Sequence, residues 1–138
     1  MIALDTDTVL RLLLGDDESQ SAAVERLWLR ARKTRTPLFI SDVVLVDIAW
    51  ALESRFELGR AEIADVLDQI FATELVVVGS AATLDRALAA YRTGRAAFAD
   101  YLIREHARLA GATEVVTFDP AMAGEPGFRV LSVNSLTR

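Results

Sequence analysis

The chain has 138 residues, a formal net charge of −5, 52% hydrophobic and 25% charged residues, no cysteine and one histidine. That is enough chain to bury a core without covalent staples, and a balance ordinary for a globular protein. Disulfides, thiolate metal sites and cysteine nucleophiles are excluded, and with His106 alone a His-rich metal site is excluded too.

No apolar run reaches bilayer length, so a cytoplasmic protein with no membrane partner is the expectation. The acidic balance is a poor start for nucleic-acid binding, which usually depends on a basic field. Metal ions or a local basic patch would have to reverse the sign.

In chain order, residues 1–4 read as a short buried strand, followed by a helix in "TVLRLLLG" that Gly15 closes and a loop at "DDESQ". "SAAVERLWLRARK" places Val24, Leu27, Trp28 and Ala31 at helical spacing. "PLFI" is a second strand, and Ser41 is an N-cap for "DVVLVDIAWALESRF". Gly59 precedes the helix "RAEIADVLDQIFA", "ELVVVG" is a strand, and Ser80 starts "AATLDRALAAYR". "AFADYLIREHARLAG" ends at Gly111, and "EVVTF" and "FRVLSV" are the last strands. Alternating strands and helices predict a single α/β domain over 1–138, a mostly parallel sheet flanked by helices. Sites in such sheets lie outside the carboxyl ends of the strands.

Two acids fall at such ends. Asp5 follows the first strand and Asp119 follows "EVVTF". Each also reads as a helix cap: Asp5 or Asp7 for the first helix, and Asp119 before Pro120. Asp47 stands among Val43, Val44, Leu45, Val46, Ile48, Ala49, Trp50 and Leu52, a pattern that predicts a helix buried on nearly every side. Asp100 stands among Phe98, Tyr101, Leu102 and Ile103. A buried carboxylate needs an arginine, a proton or a metal ion to compensate it. Clustered carboxylates repel unless cations neutralise them, and oxygen donors suit Mg²⁺ or Mn²⁺.

The stretch "LDTDTVL" fits the first motif of haloacid-dehalogenase-like phosphatases, in which the first Asp attacks phosphate. That mechanism needs a downstream lysine or arginine and a late acidic pair. The only lysine is Lys33, and "FDPAMAGEPG" supplies one Asp and a distant Glu.

Four blocks taken in order, "MIALDTDTVLRLLLGDD", "FISDVVLVDIAWALESRF", "FADYLIREHARLAG" and "VVTFDPAMA", resemble the PIN-domain ribonucleases of the VapC toxin family. The resemblance implies a PIN-like three-layer sandwich and a cytoplasmic, Mg²⁺- or Mn²⁺-dependent endoribonuclease toxin acting on RNA. It also implies a cognate VapB-like antitoxin, and a homodimer or a dimer of toxin–antitoxin heterodimers. By position, the catalytic quartet is Asp5, Asp47, Asp100 and Asp119. Asp5, Asp100 and Asp119 would bind metal, while Asp47 would orient water or support the others. Three positions depart from the family pattern: Asp7 where Asn is usual, Asp47 where Glu is usual, and Ala97 where many relatives carry another Asp. A catalytically impaired PIN fold that binds antitoxin or RNA is the alternative these departures raise.

Thr6, Asp7 and Thr117 are auxiliary candidates, the threonines as partners of an acid or of a water. Arg26, Arg30, Arg32, Lys33 and Arg35 read as a solvated helix face more readily than as an RNA contact. Arg86, Arg92, Arg95, Arg104 and Arg108 either line an RNA groove or neutralise buried acids. Trp28 and Trp50 read as core, and His106 as a surface helix residue.

Overall fold

The computed structural model describes residues 1–133. Its contacts divide the chain into two compact units, Met1–Ala81 and a second from Ala82 onward.

In the first unit, β1 (Ile2–Ala3), β2 (Leu38–Phe39) and β3 (Val76–Val77) form a parallel sheet in the order β1-β2-β3. Ile2 pairs with Leu38, and Leu38 with Val76. At the sheet edge, β1 is not buried as expected: Ile2 and Ala3 are exposed, and Leu4 just beyond them is buried. The crossovers are helical: α1 (Thr6–Leu14) and α2 (Glu18–Thr34) join β1 to β2, and α3 (Asp42–Ser54) and α4 (Arg60–Ala72) join β2 to β3. Parallel neighbours need such crossovers, because a tight turn cannot reverse the chain twice.

Helix boundaries follow local chemistry. Asp5 caps α1 by accepting from the Thr8 N–H, and Gly15 ends it in the left-handed conformation at φ 60°. Ser41 caps α3 through the Val44 N–H. The second helix begins at Glu18 rather than Ser21, because Asp17 accepts from the Gln20 N–H and turns most of the expected loop into its first turn. Leu10, Leu38, Leu45, Ile48, Leu52, Ile63 and Leu67 are buried, each contributing roughly 1.5–3 kcal/mol of apolar transfer.

In the second unit, α5 (Ala81–Thr93) and α6 (Phe98–Leu109) precede β4 (Val115–Thr117) and β5 (Phe128–Val130), which pair in parallel. Between the strands lies a short 3-10 turn, Pro120–Met122. Leu84, Leu88, Tyr91, Phe98, Tyr101 and Leu102 are buried, and the Tyr91 and Phe98 rings meet edge to face at 6.0 Å. Among the described residues, no helix is long and apolar enough to cross a membrane.

The chemistry that closes the loop between α5 and α6 is specific. The Tyr101 hydroxyl accepts from the Arg95 and Ala96 N–H groups at 3.1 and 3.3 Å and donates to Glu125. Burial and the hydrogen bond to Glu125 both push the Tyr101 hydroxyl up, keeping it a donor. Gly94 sits against that hydroxyl, where any Cβ would overlap it.

Candidate active site

The first unit brings two of the expected acids into one neighbourhood. Asp5 lies two residues beyond β1, where the backbone turns from strand into α1. Its hydrogen bonds with Thr8, chiefly from the backbone N–H at 2.9 Å, hold its carboxyl below the usual aspartate range. It is an exposed, ionised carboxylate at the N-terminus of a helix. Thr6, the next residue, donates its hydroxyl to Asp47 Oδ2 at 3.2 Å, so α3 is tied to the start of α1 at this point.

The expected burial of Asp47 is not observed. Asp47 is exposed, and Val43 and Trp50 beside it are 72% and 64% exposed. Positions 43, 47 and 50 share one helical stripe, while Leu45, Ile48, Ala49 and Leu52 turn to the core. A sequence apolar on every side therefore still leaves one face in solvent, and Trp50 is not a core residue.

Asp7 is exposed in the first turn of α1, where a negative charge is favoured by the helix dipole. With Asp5, Thr8, Arg11 and Gln20 it lines a cavity of about 260 Å³. Arg11 spans the far side, donating to Gln20 at 2.8 Å and Asp16 at 3.2 Å. No periodic signal marks Arg11 and Gln20 in the sequence, because they meet across two helices.

In the second unit, Asp100 is half-buried rather than enclosed. Ile103, expected to help enclose it, is 53% exposed. Asp100 Oδ2 accepts from the Ala97 N–H at 3.1 Å, so the acid satisfies the start of α6. Asp119 is exposed beyond β4 and accepts from the Ala121 N–H at 2.9 Å, while the Thr117 hydroxyl accepts from the Asp119 N–H at 3.1 Å. Three of the quartet, Asp5, Asp100 and Asp119, thus serve backbone ends, and Asp47 takes a hydroxyl.

None of the four is paired with an arginine or lysine among the described residues. The buried aspartate–arginine pair that the sequence left open is not what holds Asp47 or Asp100. Among the described residues the buried acid is another one. Glu105, 1% exposed, is gripped by Arg86, Arg104 and Arg108. In sequence it is hidden inside "REHAR", where it looks like any helix-surface acid.

The donor set is all carboxylate and hydroxyl oxygen, which suits a hard divalent cation. Each unit by itself supplies two of the acids, and among the described residues no three acids or histidines are grouped as a metal site. His106 is exposed on α6, and Arg26, Arg30, Arg32, Lys33 and Arg35 are exposed, with Arg35 paired to Glu74 at 2.6 Å.

A match to the PIN domain family spans residues 2–124, nearly the whole chain and both units. The chain belongs to the PIN domain family. The parallel strands and intervening helices are the α/β pattern of a PIN-like fold, and the phosphatase reading of "LDTDTVL" gives way to it. The chain is also 27% identical, over 118 residues, to a VapC ribonuclease of Aquifex aeolicus (strain VF5); the aligned region covers 86% of this chain and 87% of that one.

Proposed function

We propose that this PIN-domain protein is a VapC-like endoribonuclease that hydrolyses RNA phosphodiester bonds with Mg²⁺ or Mn²⁺, using Asp5, Asp47, Asp100 and Asp119. The observation that carries the reading is the state of these four side chains. All are accessible or half-buried carboxylates, and none is neutralised by a cationic side chain among the described residues. Glu105 shows how this chain treats a structural acid, burying it among arginines; the four candidates carry no such partner among the described residues, and Asp5 and Asp119 stand beyond β1 and β4, where ligands bind in parallel sheets.

Asp5, Asp100 and Asp119 would hold the metal, which when bound supplies Lewis-acid stabilisation of charge on the scissile phosphodiester. The chain's own groups do the positioning. The Thr8 N–H keeps Asp5 ionised and fixes its rotamer. Thr6 sets the orientation of Asp47, whose other oxygen is left to accept a proton from an attacking water. Thr117 fixes the backbone at Asp119. Asp7 adds negative charge beside Asp5 and supports binding of a cation there.

The similarity to a VapC ribonuclease extends the proposal to biology: a toxin acting in the cytoplasm, held in check by a small VapB-like antitoxin, and assembled as a homodimer or as a dimer of toxin–antitoxin heterodimers. The shorter reach of Asp47, already engaged by Thr6, favours a second reading, a PIN-fold module that binds antitoxin or RNA without turnover. Multiple-turnover cleavage of single-stranded RNA in Mn²⁺ separates the two. Cleavage by the wild type, lost in Asp100→Asn with the fold retained by circular dichroism, is the expected result. Undiminished cleavage by Asp100→Asn would overturn the assignment of the site.

A further inference from the structure

The arginines of the second unit are not spent on neutralising Glu105. Arg86 Nε reaches Glu105 Oε1 at 3.1 Å, while Arg104 Nε and Arg108 Nη1 reach Oε2 at 3.1 and 2.9 Å. One carboxylate faces three guanidiniums, so two positive charges remain. Arg95 adds another; its Nη2 donates to the neutral Ala123 carbonyl, at 3.3 Å. The acid that shares a groove with Arg95, Arg104 and Arg108 is Glu125, which the Tyr101 hydroxyl already engages. In a chain of net charge −5 this is a local excess of positive charge.

The excess is fixed in place and open to solvent. Arg95, Arg104 and Arg108, with Thr93, Glu125 and Pro126, line a groove of about 480 Å³. Arg104 is nearly buried, donates to the Pro126 carbonyl at 2.9 Å, and lies over the Tyr101 and Phe128 rings at 5.1 and 5.9 Å. Gly127, at φ +84°, leaves room for it: a Cβ there would come within 2.6 Å of Arg104 Cδ and 3.6 Å of Arg108 Nη2. The Arg86 and Arg108 side chains are each 53% exposed, so their remaining N–H groups face water. Planar guanidiniums held in a groove, with donors to spare, suit the two non-bridging oxygens of a phosphodiester.

We propose that the groove lined by Arg95, Arg104 and Arg108 binds the phosphate backbone of the RNA substrate, with Arg95 and Arg108 touching phosphate and Arg104 positioning Arg108 through Glu105. This rests on the ribonuclease reading and supplies the basic patch that an acidic nuclease requires. Contacts of this kind are indifferent to base sequence and sensitive to salt.

The test is anisotropy titration of a labelled single-stranded RNA in EDTA across a salt series, with RNA cleavage in Mn²⁺ measured alongside. Arg95→Gln and Arg108→Gln should each weaken binding several-fold and each lower the slope of log K against log salt by about 0.7. Arg95→Lys should restore part of the affinity, and Arg30→Gln on α2 should change neither quantity. Because Arg108→Gln also removes a partner of Glu105, the Arg95 variants, which do not touch Glu105, decide the matter if the Arg108 variant melts early. RNA bound and cleaved by the wild type, with affinity and slope unchanged in Arg95→Gln, would overturn the groove and leave the ribonuclease standing. A wild type that neither binds nor cleaves RNA would overturn both.

Discussion

Thr6 and Asp47 are 41 residues apart in sequence, and the threonine hydroxyl donates to the aspartate carboxylate at 3.2 Å. This one contact joins the helix that follows the first strand to the helix that follows the second. It gives Asp47 a fixed orientation on an exposed face of α3. Thr6→Val keeps the side-chain shape and removes the donor. Since the bond is exposed, stability should fall by no more than about 1 kcal/mol. Turnover on RNA should fall roughly 10- to 100-fold, the range for partners of site ligands, with KM little changed. Thr6→Ser should restore most of it. An unchanged kcat in Thr6→Val would remove Thr6 from the site.

Helix α3 allows a direct comparison of two neighbouring apolar residues. Ile48 is fully buried and Trp50 is 64% exposed. Ile48→Ala should destabilise by about 2–5 kcal/mol, as core truncations do, whereas Trp50→Ala should stay within about 0.5 kcal/mol of wild type. Urea denaturation of the two variants checks this. A Trp50→Ala loss as large as that of Ile48→Ala would place the indole in a packed interior.

These two residues also show where sequence reasoning is strong and where it stops. Local chemistry was legible: Ser41 before α3, Gly59 before α4 and Gly111 after α6 all mark helix ends through one residue's own backbone preference or side chain. The parallel pairing followed from the alternation of strands and helices. What a helix buries was not legible in "VVLVDIAWAL", because uniform apolarity erases the periodic signal that normally distinguishes the two faces. Glu105 escapes sequence reasoning for the converse reason. An acid flanked by arginines on an amphipathic helix looks solvated, and only the approach of Arg86 from α5, 19 residues away, reveals it as buried. Asp5 and Asp119 could be read both as caps and as site residues, and the structure gives each a capping hydrogen bond while leaving it accessible.

Gly94 is constrained by a neighbour rather than by its backbone angle. A Cβ would overlap the Tyr101 hydroxyl and approach the Ala90 carbonyl oxygen to 2.8 Å. Gly94→Ala therefore forces the tyrosine away from the Arg95 and Ala96 N–H groups. Overpacking of this kind should cost about 1–3 kcal/mol, with the lost hydrogen bonds adding to it. In the Tyr101→Phe background the hydroxyl is absent, so the same glycine substitution should cost less. Thermal melts of the four proteins of this cycle measure the difference, and strict additivity would contradict the proposed clash.

Glu105 makes a distinct prediction about acid stability. Burial pushes its carboxyl up, but the hydrogen bonds from Arg104 and Arg86 and the charges of Arg108 and Arg104 outweigh it, leaving the group below the ordinary glutamate value of 4.5. The folded state then binds its proton less readily than the unfolded state. The resulting stabilisation is fully present above about pH 4.5 and is lost as pH falls through the lower folded value. Glu105→Gln keeps the shape but leaves three guanidiniums around a neutral group, so at neutral pH it should be destabilised by about 3 kcal/mol. Asp5 and Asp17, whose carboxyls are also held low, titrate in both proteins and cancel in the difference. The stability gap between wild type and Glu105→Gln, followed by urea denaturation from pH 7 downward, should therefore be flat and then close below about pH 4.5. A gap that stays constant into acid would mean that the arginines hold Glu105 by packing alone.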